Sequence, residues 1–343
     1  MKPEDIVNSV NLIKDLIIKN MQQTDLMSDA EVQQFYRNID ATLHDFQVDM
    51  STMLEEEIYT QYASGLARAR KLTRELGFDF QDNLNSLVHT GALNAMTADV
   101  MLDMQAAIRT ARMTSINSID SALEEVKNNI SKGILLGTSR DKIVKEVMDS
   151  FNKFGLKAFI TVDGKMLPLD FYSETITRTK LSMARTTAHA NHYENVDNQY
   201  YTIHGGWDTC GECAAYRGIV FTMTGEDKRF PYLDPREAMP FHPNCKCVIR
   251  PKVISILPDS EINRLARRSS TFNPDIDKRT KAQREAYESD QAAKRKARAE
   301  LKQYNNIVAR LGNDAPKTLG AFRRMKRSNS TGYRKLMSKL RSG

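Results

Sequence analysis

A chain of 343 residues with 41% hydrophobic and 27% charged residues has enough apolar material for one large domain or two to three smaller ones, which excludes a disordered or fibrous polymer. No run of eighteen apolar residues occurs, and the start MKPEDIVNSV turns acidic before an apolar signal region can form, so neither a membrane span nor export is expected and the chain reads as cytosolic, or as part of something assembled there. The net charge is +7, and all four cysteines fall between residues 210 and 247; in a reducing compartment such clustering points to a metal or to catalysis rather than to a disulfide framework.

The chain holds ten prolines, yet none lies between Pro3 and Pro168, which predicts long helices over that stretch. Ser28 to Glu31, SDAE, has the form of a capping box, with hydroxyl and carboxylate each satisfying an orphan amide at a helix start. From there Val32, Phe35, Ile39, Leu43, Phe46, Met50 and Met53 recur at an average of 3.5 residues, a coiled-coil-like seam on a helix expected to run to Gly77. Intramolecular bundle core is the preferred reading of that seam.

Residues 131 to 200 change character. A glycine-bounded turn precedes Ser139, the expected N-cap of a helix through Phe151, and Asp163-Gly164 between short apolar runs predicts a hairpin. A helix capped by Ser173 then gives way near Tyr200 to a strand ending at Gly205-Gly206. His189 and His192 are three apart on that helix; with no acidic partner at matching spacing they read as surface or packing residues rather than as a metal or catalytic pair.

The cysteines follow. Cys210 and Cys213 have the two-residue gap that lets a tight turn aim two sulfurs at one ion, and Trp207 with Ile219 to Phe221 look like the strands of a hairpin around it. His242, Cys245 and Cys247 form a second cluster, held out of helix by Pro240 and Pro243. Five candidate ligands thus compete for the four places of a structural zinc site. The preferred set is Cys210, Cys213, Cys245 and Cys247, with His242 replacing one cysteine or supporting the site by a hydrogen bond. The alternatives are buried thiols, a disulfide, or a catalytic metal or thiol.

The order ISKGILLGTS, DGKMLPLDFYSETITRTKLSMARTT, WDTCGECAAYRGIVF and FHPNCKCVIRP resembles the minor head proteins of tailed bacteriophages, the head morphogenesis family related to the F protein of phage Mu, over roughly residues 130 to 252. In that family an Arg-Thr pair on the preceding helix is often followed by Glu; here Arg185-Thr186 is followed by Thr187, and a second pair, Arg178-Thr179, lies upstream. The resemblance implies a minor capsid protein acting in head assembly, present in a few copies inside the procapsid near the portal and sometimes leaving with the DNA. Its implied partners are portal protein, scaffold or major capsid protein, and packaged double-stranded DNA, in the host cytoplasm during assembly and with no membrane in the mature head.

From residue 256 onward 22 Lys plus Arg face 9 Asp plus Glu, a net of +13, so with the whole chain at +7 the first 255 residues carry −6. Residues 279 to 310 read as a helix ending at Gly312, with mixed charges that suit a solvated face as well as a contact. The last stretch is one-sided: Arg323, Arg324, Lys326, Arg327, Arg334, Lys335, Lys339 and Arg341, interleaved with Phe322, Tyr333 and Leu336, suit nucleic acid or a partner helix better than plain solvent. No nucleophile elbow, phosphate-cradling glycine loop or H-E-x-x-H occurs, so no catalytic residue is assigned. The enzymatic alternative is a metal-dependent nuclease or effector delivered with phage DNA, for which only His204 and His242 lie near the cysteines in sequence. The predicted fold is mainly α with a small α+β module: a helical assembly region over 1–130, a core with a β-hairpin and zinc-knuckle-like cysteine module over 131–252, and a basic helical tail over 253–343.

Overall fold

The computed structural model describes residues 3–131, 140–160, 166–206, 209–243, 245–311 and 315–342. Eleven helices and five short strands lie among them, a mainly α fold with a small antiparallel sheet. Where proline is missing the helices are long: α1 (Pro3–Gln23), α2 (Asp29–Arg74) and α3 (Leu87–Ser131). In α1, Ile6, Val10, Ile13, Ile17 and Met21 return every three or four residues, and all are buried.

In α2 the expected seam is buried from Val32 to Met50, but the next core residue is Leu54; Met53 is only half-buried. A straight helix of 3.6 residues per turn drifts relative to a strict 3.5 repeat, so the buried stripe moves on to Leu54, Ile58 and Tyr62. These side chains share one core with residues of α1, α3 and α5, so the seam's partner is this chain itself. Ser28 caps α2 by accepting from the Glu31 N–H at 3.4 Å, whereas the Glu31 carboxylate reaches past it to accept from the Asp25 N–H at 2.6 Å, so only half of the expected capping box forms. The helix ends at Arg74, three residues short of Gly77. There the Phe78 N–H donates to the Thr73 carbonyl at 3.0 Å, and Gly77, at φ +93°, supplies the left-handed turn that closes the end.

Helix α4 (Arg140–Phe154) runs one turn past Phe151, while Ser139 and its glycine turn lie outside the described residues. Strands β1 (Lys157–Ile160) and β2 (Met166–Pro168) pair antiparallel on either side of Asp163-Gly164, itself outside the described residues. Helix α5 (Leu169–Asn195) starts directly after Pro168 and not at Ser173: proline has no N–H to leave orphaned at a helix start, and Ser173 sits buried within the helix. Helix α5 meets α2 at Gly65, where a Cβ would lie 3.0 Å from the Arg185 backbone; a glycine lets the two helices come this close.

In the three-stranded sheet β3 (Tyr200–His204) is central, with β4 (Val220–Thr222) and β5 (Val248–Pro251) antiparallel on its two sides. Tyr201 stands opposite Phe221 and Pro251, and Ile203 opposite Ile249. The alternation buries Tyr201 and Ile203 and leaves Thr202 and His204 outward. The partner of β4 is therefore β3, and not a strand at Trp207, which lies outside the described residues. The chain between β3 and β4 forms α6 (Gly211–Ala215); α7 (Pro235–Ala238) and α8 (Asp259–Ser270) follow, and α8 packs Ile262 and Leu265 against Val220 and Phe230.

The contacts divide the chain into two compact units. One comprises Met1–Gly205 and Tyr216–Asn273, and in it α5, from the second predicted region, shares its core with α1 to α3 of the first. The other comprises Gly206–Ala215 and Pro274–Gly343, with α9 (Lys281–Leu311), α10 (Leu319–Arg327) and α11 (Thr331–Ser342). Thr280 and Gln283 exchange hydrogen bonds of 2.9 and 3.2 Å, a capping box that starts α9. Side chains along the first half of α9 are mostly exposed, and its second half packs with α10 and α11 around Ile307, Phe322 and Leu336.

Candidate metal centre

The C-x-x-C pair is a turn of helix rather than a hairpin knuckle. The Ala214 N–H donates to the Cys210 carbonyl at 3.0 Å and the Cys213 N–H to Cys210 Sγ at 3.4 Å, so α6 begins on Cys210. Positions i and i+3 share a helix face, so the spacing brings the two sulfurs to one side as a knuckle would. After Pro240 and Pro243 a turn follows in which the Cys245 N–H donates to the His242 carbonyl at 3.0 Å.

Two overlapping ligand groups result: Cys213, Cys245 and Cys247, and Cys210, Cys213 and His242. Within each, one donor atom per residue lies within 4.8 Å of the others. Sulfurs around tetrahedral zinc, with Zn–S of about 2.3 Å, stand about 3.8 Å apart, which a slight contraction of either group reaches. Cys213 belongs to both groups. Cys210, expected with Cys245 and Cys247, is grouped instead with His242. Cys213, Cys245 and Cys247 are 2%, 8% and 5% exposed and all four cysteines are thiols, so any thiolates among these three need a compensating cation. The Pro243 carbonyl lies 2.9 Å from His242 Nδ1 and can only accept, so Nδ1 carries the proton and Nε2 keeps a lone pair for a metal. The donor set suits a structural transition metal such as zinc; neither group contains a carboxylate.

A second cluster of titratable groups lies in the helical unit. Asp82, just before α3, accepts from His192 Nδ1 at 2.9 Å and from Asn195 Nδ2 at 3.0 Å, and His89 Nε2 lies 2.9 Å away, at ion-pair distance but poorly aligned as a donor. The hydroxyl of Thr73 donates to His192 Nε2 at 2.8 Å, and Asn191 Nδ2 donates to Tyr62, whose hydroxyl in turn donates to His89 Nδ1 at 2.8 Å. Arg236, kept charged by Asp234 and Glu194, extends the chain by donating to Asn191 at 3.2 Å. Burial alone would push the Asp82 carboxyl up, but the bonds from His192 and Asn195 together with His89 hold it below the usual carboxylate range. Both histidines read as surface or packing residues are packing residues, and the acidic partner of His192 comes from 110 residues away.

His189, 5% exposed, has its pKa lowered to about 4, first by burial and then by the nearby positive charges of Arg68 and Arg185 against a hydrogen bond at Ile249. Between pH 6.5 and about 4 the unfolded chain takes up a proton that the native ring refuses, so stability falls as pH falls through that window. The expected loss is about 3 kcal/mol, at about 1.4 kcal/mol per pH unit, and the lowered pKa of His192 acts in the same direction. Urea midpoints between pH 7 and 4.5 read this, and His189→Gln should flatten the slope.

The basic residues fall into two sets. Arg323 Nε pairs with Glu300 at 3.0 Å and Lys326 Nζ donates to Gln303 at 2.7 Å, both on α9. Arg324, Arg327, Arg334, Lys335 and Lys339 are exposed, and the Arg341 side chain lies outside the described residues. Phe322 is fully buried and Tyr333 half-buried, their rings 6.1 Å apart, so neither presents a bare ring to solvent as expected for base stacking. On α5, Arg185 is exposed and Thr186 buried, while Arg178 pairs with Glu174. Among the described residues no helix is long and apolar enough to cross a membrane. Comparison with known protein families, curated proteins and solved structures finds no match.

Proposed function

We propose that this chain is a structural minor head protein of a tailed phage, acting inside the procapsid near the portal, with a cysteine centre that holds one structural zinc and a basic C-terminal unit that meets packaged double-stranded DNA. The observation that carries this reading is the convergence of Cys213, Cys245 and Cys247, the residues of the motif on which the resemblance rests. Donor sets made mainly of cysteine sulfur are those of zinc sites that brace a fold, whereas hydrolysis needs a general base beside the metal. The nuclease reading is disfavoured by the lack of a carboxylate in either ligand group and by His204, whose Nε2 is engaged by the Thr202 hydroxyl at 2.9 Å.

The test is made on the full chain, because α2 and α5 share a core and removal of the N-terminal helices would strip α5. Mass spectrometry of purified heads should find the chain with the portal, and plasmid incubated with the protein and Mg²⁺, Mn²⁺ or Zn²⁺ should stay supercoiled. Nicked plasmid would overturn the structural reading in favour of the effector.

A further inference from the structure

We infer that the DNA contact is the outer face of the folded α10–α11 pair, built from Arg324, Arg327, Arg334 and Lys335, and that it grips duplex phosphates without reading or stacking on bases. This rests on the reading above that the basic C-terminal unit meets packaged DNA, and it assigns the residues, the strandedness and the mode of contact.

Three observations carry it. After Asp314 the chain has nine Lys and Arg and no Asp or Glu, so this pair of helices has no acid of its own to neutralise the face. The small core of Ile307, Phe322 and Leu336 draws Phe322, Tyr333 and their apolar neighbours inward, and it leaves Arg324 and Arg327, three apart on α10, and Arg334 and Lys335 on α11 exposed. Arg323 and Lys326 point the other way and are satisfied by Glu300 and Gln303, so they hold α10 on α9 instead of meeting a ligand.

The aromatic rings decide between strands. Binding of single strands combines a basic groove with exposed rings on which bases stack. Here Phe322 is fully buried and Tyr333 half-buried, so the face is charged and carries no fully exposed ring. Charge held on two helices suits the closely spaced phosphates of a duplex, about one per 1.7 Å of axis, and carries no sequence information. The three-residue turn between the helices, Ser328 to Ser330, with Asn329 at φ +46°, keeps the two basic faces in a fixed relation.

The experiment uses the full chain and fluorescence anisotropy on two unrelated duplexes of about 20 base pairs and on one of their single strands, from 50 to 200 mM salt. Four phosphate contacts at about −0.9 each contribute about −3.6 to the log-log slope, or about 150-fold weaker binding across that range. The outer-face variant R324Q/R327Q/R334Q/K335Q should lose that share of the slope, and R323Q/K326Q should keep it; both are checked for unchanged helical content. Equal binding of the two duplexes, and weaker binding of the single strand, are expected. If the wild type binds duplex but the outer-face variant binds as well, or if the inner pair carries the slope, this assignment fails while the DNA reading stands. If the wild type binds neither form, the DNA reading itself fails and the face belongs to an acidic protein surface.

Discussion

Replacing Asp82 by Ala should lower the melting temperature of the helical unit by roughly 6 to 15 °C, the effect of losing about 3 to 5 kcal/mol when one partner of a buried, hydrogen-bonded charge cluster is removed. Asp82 is 5% exposed and takes bonds or ion-pair contacts from His89, His192 and Asn195, so its removal takes the acidic partner from two buried histidines and the half-buried Asn195, on two helices at once. Asp82→Asn should cost less, since it keeps the shape and one acceptor oxygen. Thermal unfolding followed by circular dichroism at pH 7 measures both. A melting point within about 2 °C of wild type for the Ala variant, less than about 1 kcal/mol, would show that the cluster is spectator chemistry.

Cys213→Ser should be the most damaging single change at the thiol site. Cys213 belongs to both ligand groups, so its loss leaves two ligands in each, whereas Cys247→Ser or His242→Ala leaves the other group complete. Binding free energy for structural zinc reaches about 10 to 16 kcal/mol in small zinc domains and is folding free energy there, so zinc loss should also melt the surrounding turn. Native mass spectrometry is expected to give about one zinc per wild-type chain, less than a tenth of that for Cys213→Ser, and an intermediate value for His242→Ala. Wild-type protein purified without metal, with unchanged melting after chelation, would refute the zinc centre and leave four packed thiols.

The helices are legible in the sequence because proline and the apolar stripe act locally. Every seam residue from Val32 to Met50 carries its address in its own spacing, and so does the C-x-x-C pair, whose two residues lie together whatever turn joins them. What escapes is set by partners distant in sequence. His192 shows no acid nearby on its own helix because its acid, Asp82, belongs to the connection before α3; Gly65 is an ordinary helical glycine until the Arg185 backbone arrives 3.0 Å from its missing Cβ. The aromatic residues of the tail mislead for the same reason. Phe322, directly before Arg323 and Arg324, reads as one of the aromatic residues interleaved with the basic ones until the second half of α9 and α11 close over it. One further feature is visible in the sequence itself: Thr280 and Gln283 have capping-box spacing and mark the start of α9.

The exposed first half of α9 behaves as a ruler. At about 1.5 Å per residue, the seventeen residues from Lys281 to Ala297 span about 25 Å of rod. The i,i+4 pair Asp290–Lys294, at 2.5 Å, and the Arg279 guanidinium 5.0 Å from the Tyr287 ring help it keep its length. A glycine-rich coil of the same seventeen residues would average about 22 Å end to end but wander over every shorter distance. The basic end of α9 with α10 and α11 is thus carried at a nearly fixed radius from Arg279, and its local concentration is confined to a shell instead of filling a sphere. Removing whole turns from this rod would shorten the reach in steps of about 5.4 Å while keeping the helices' facing, which makes distance and orientation separately adjustable in one element.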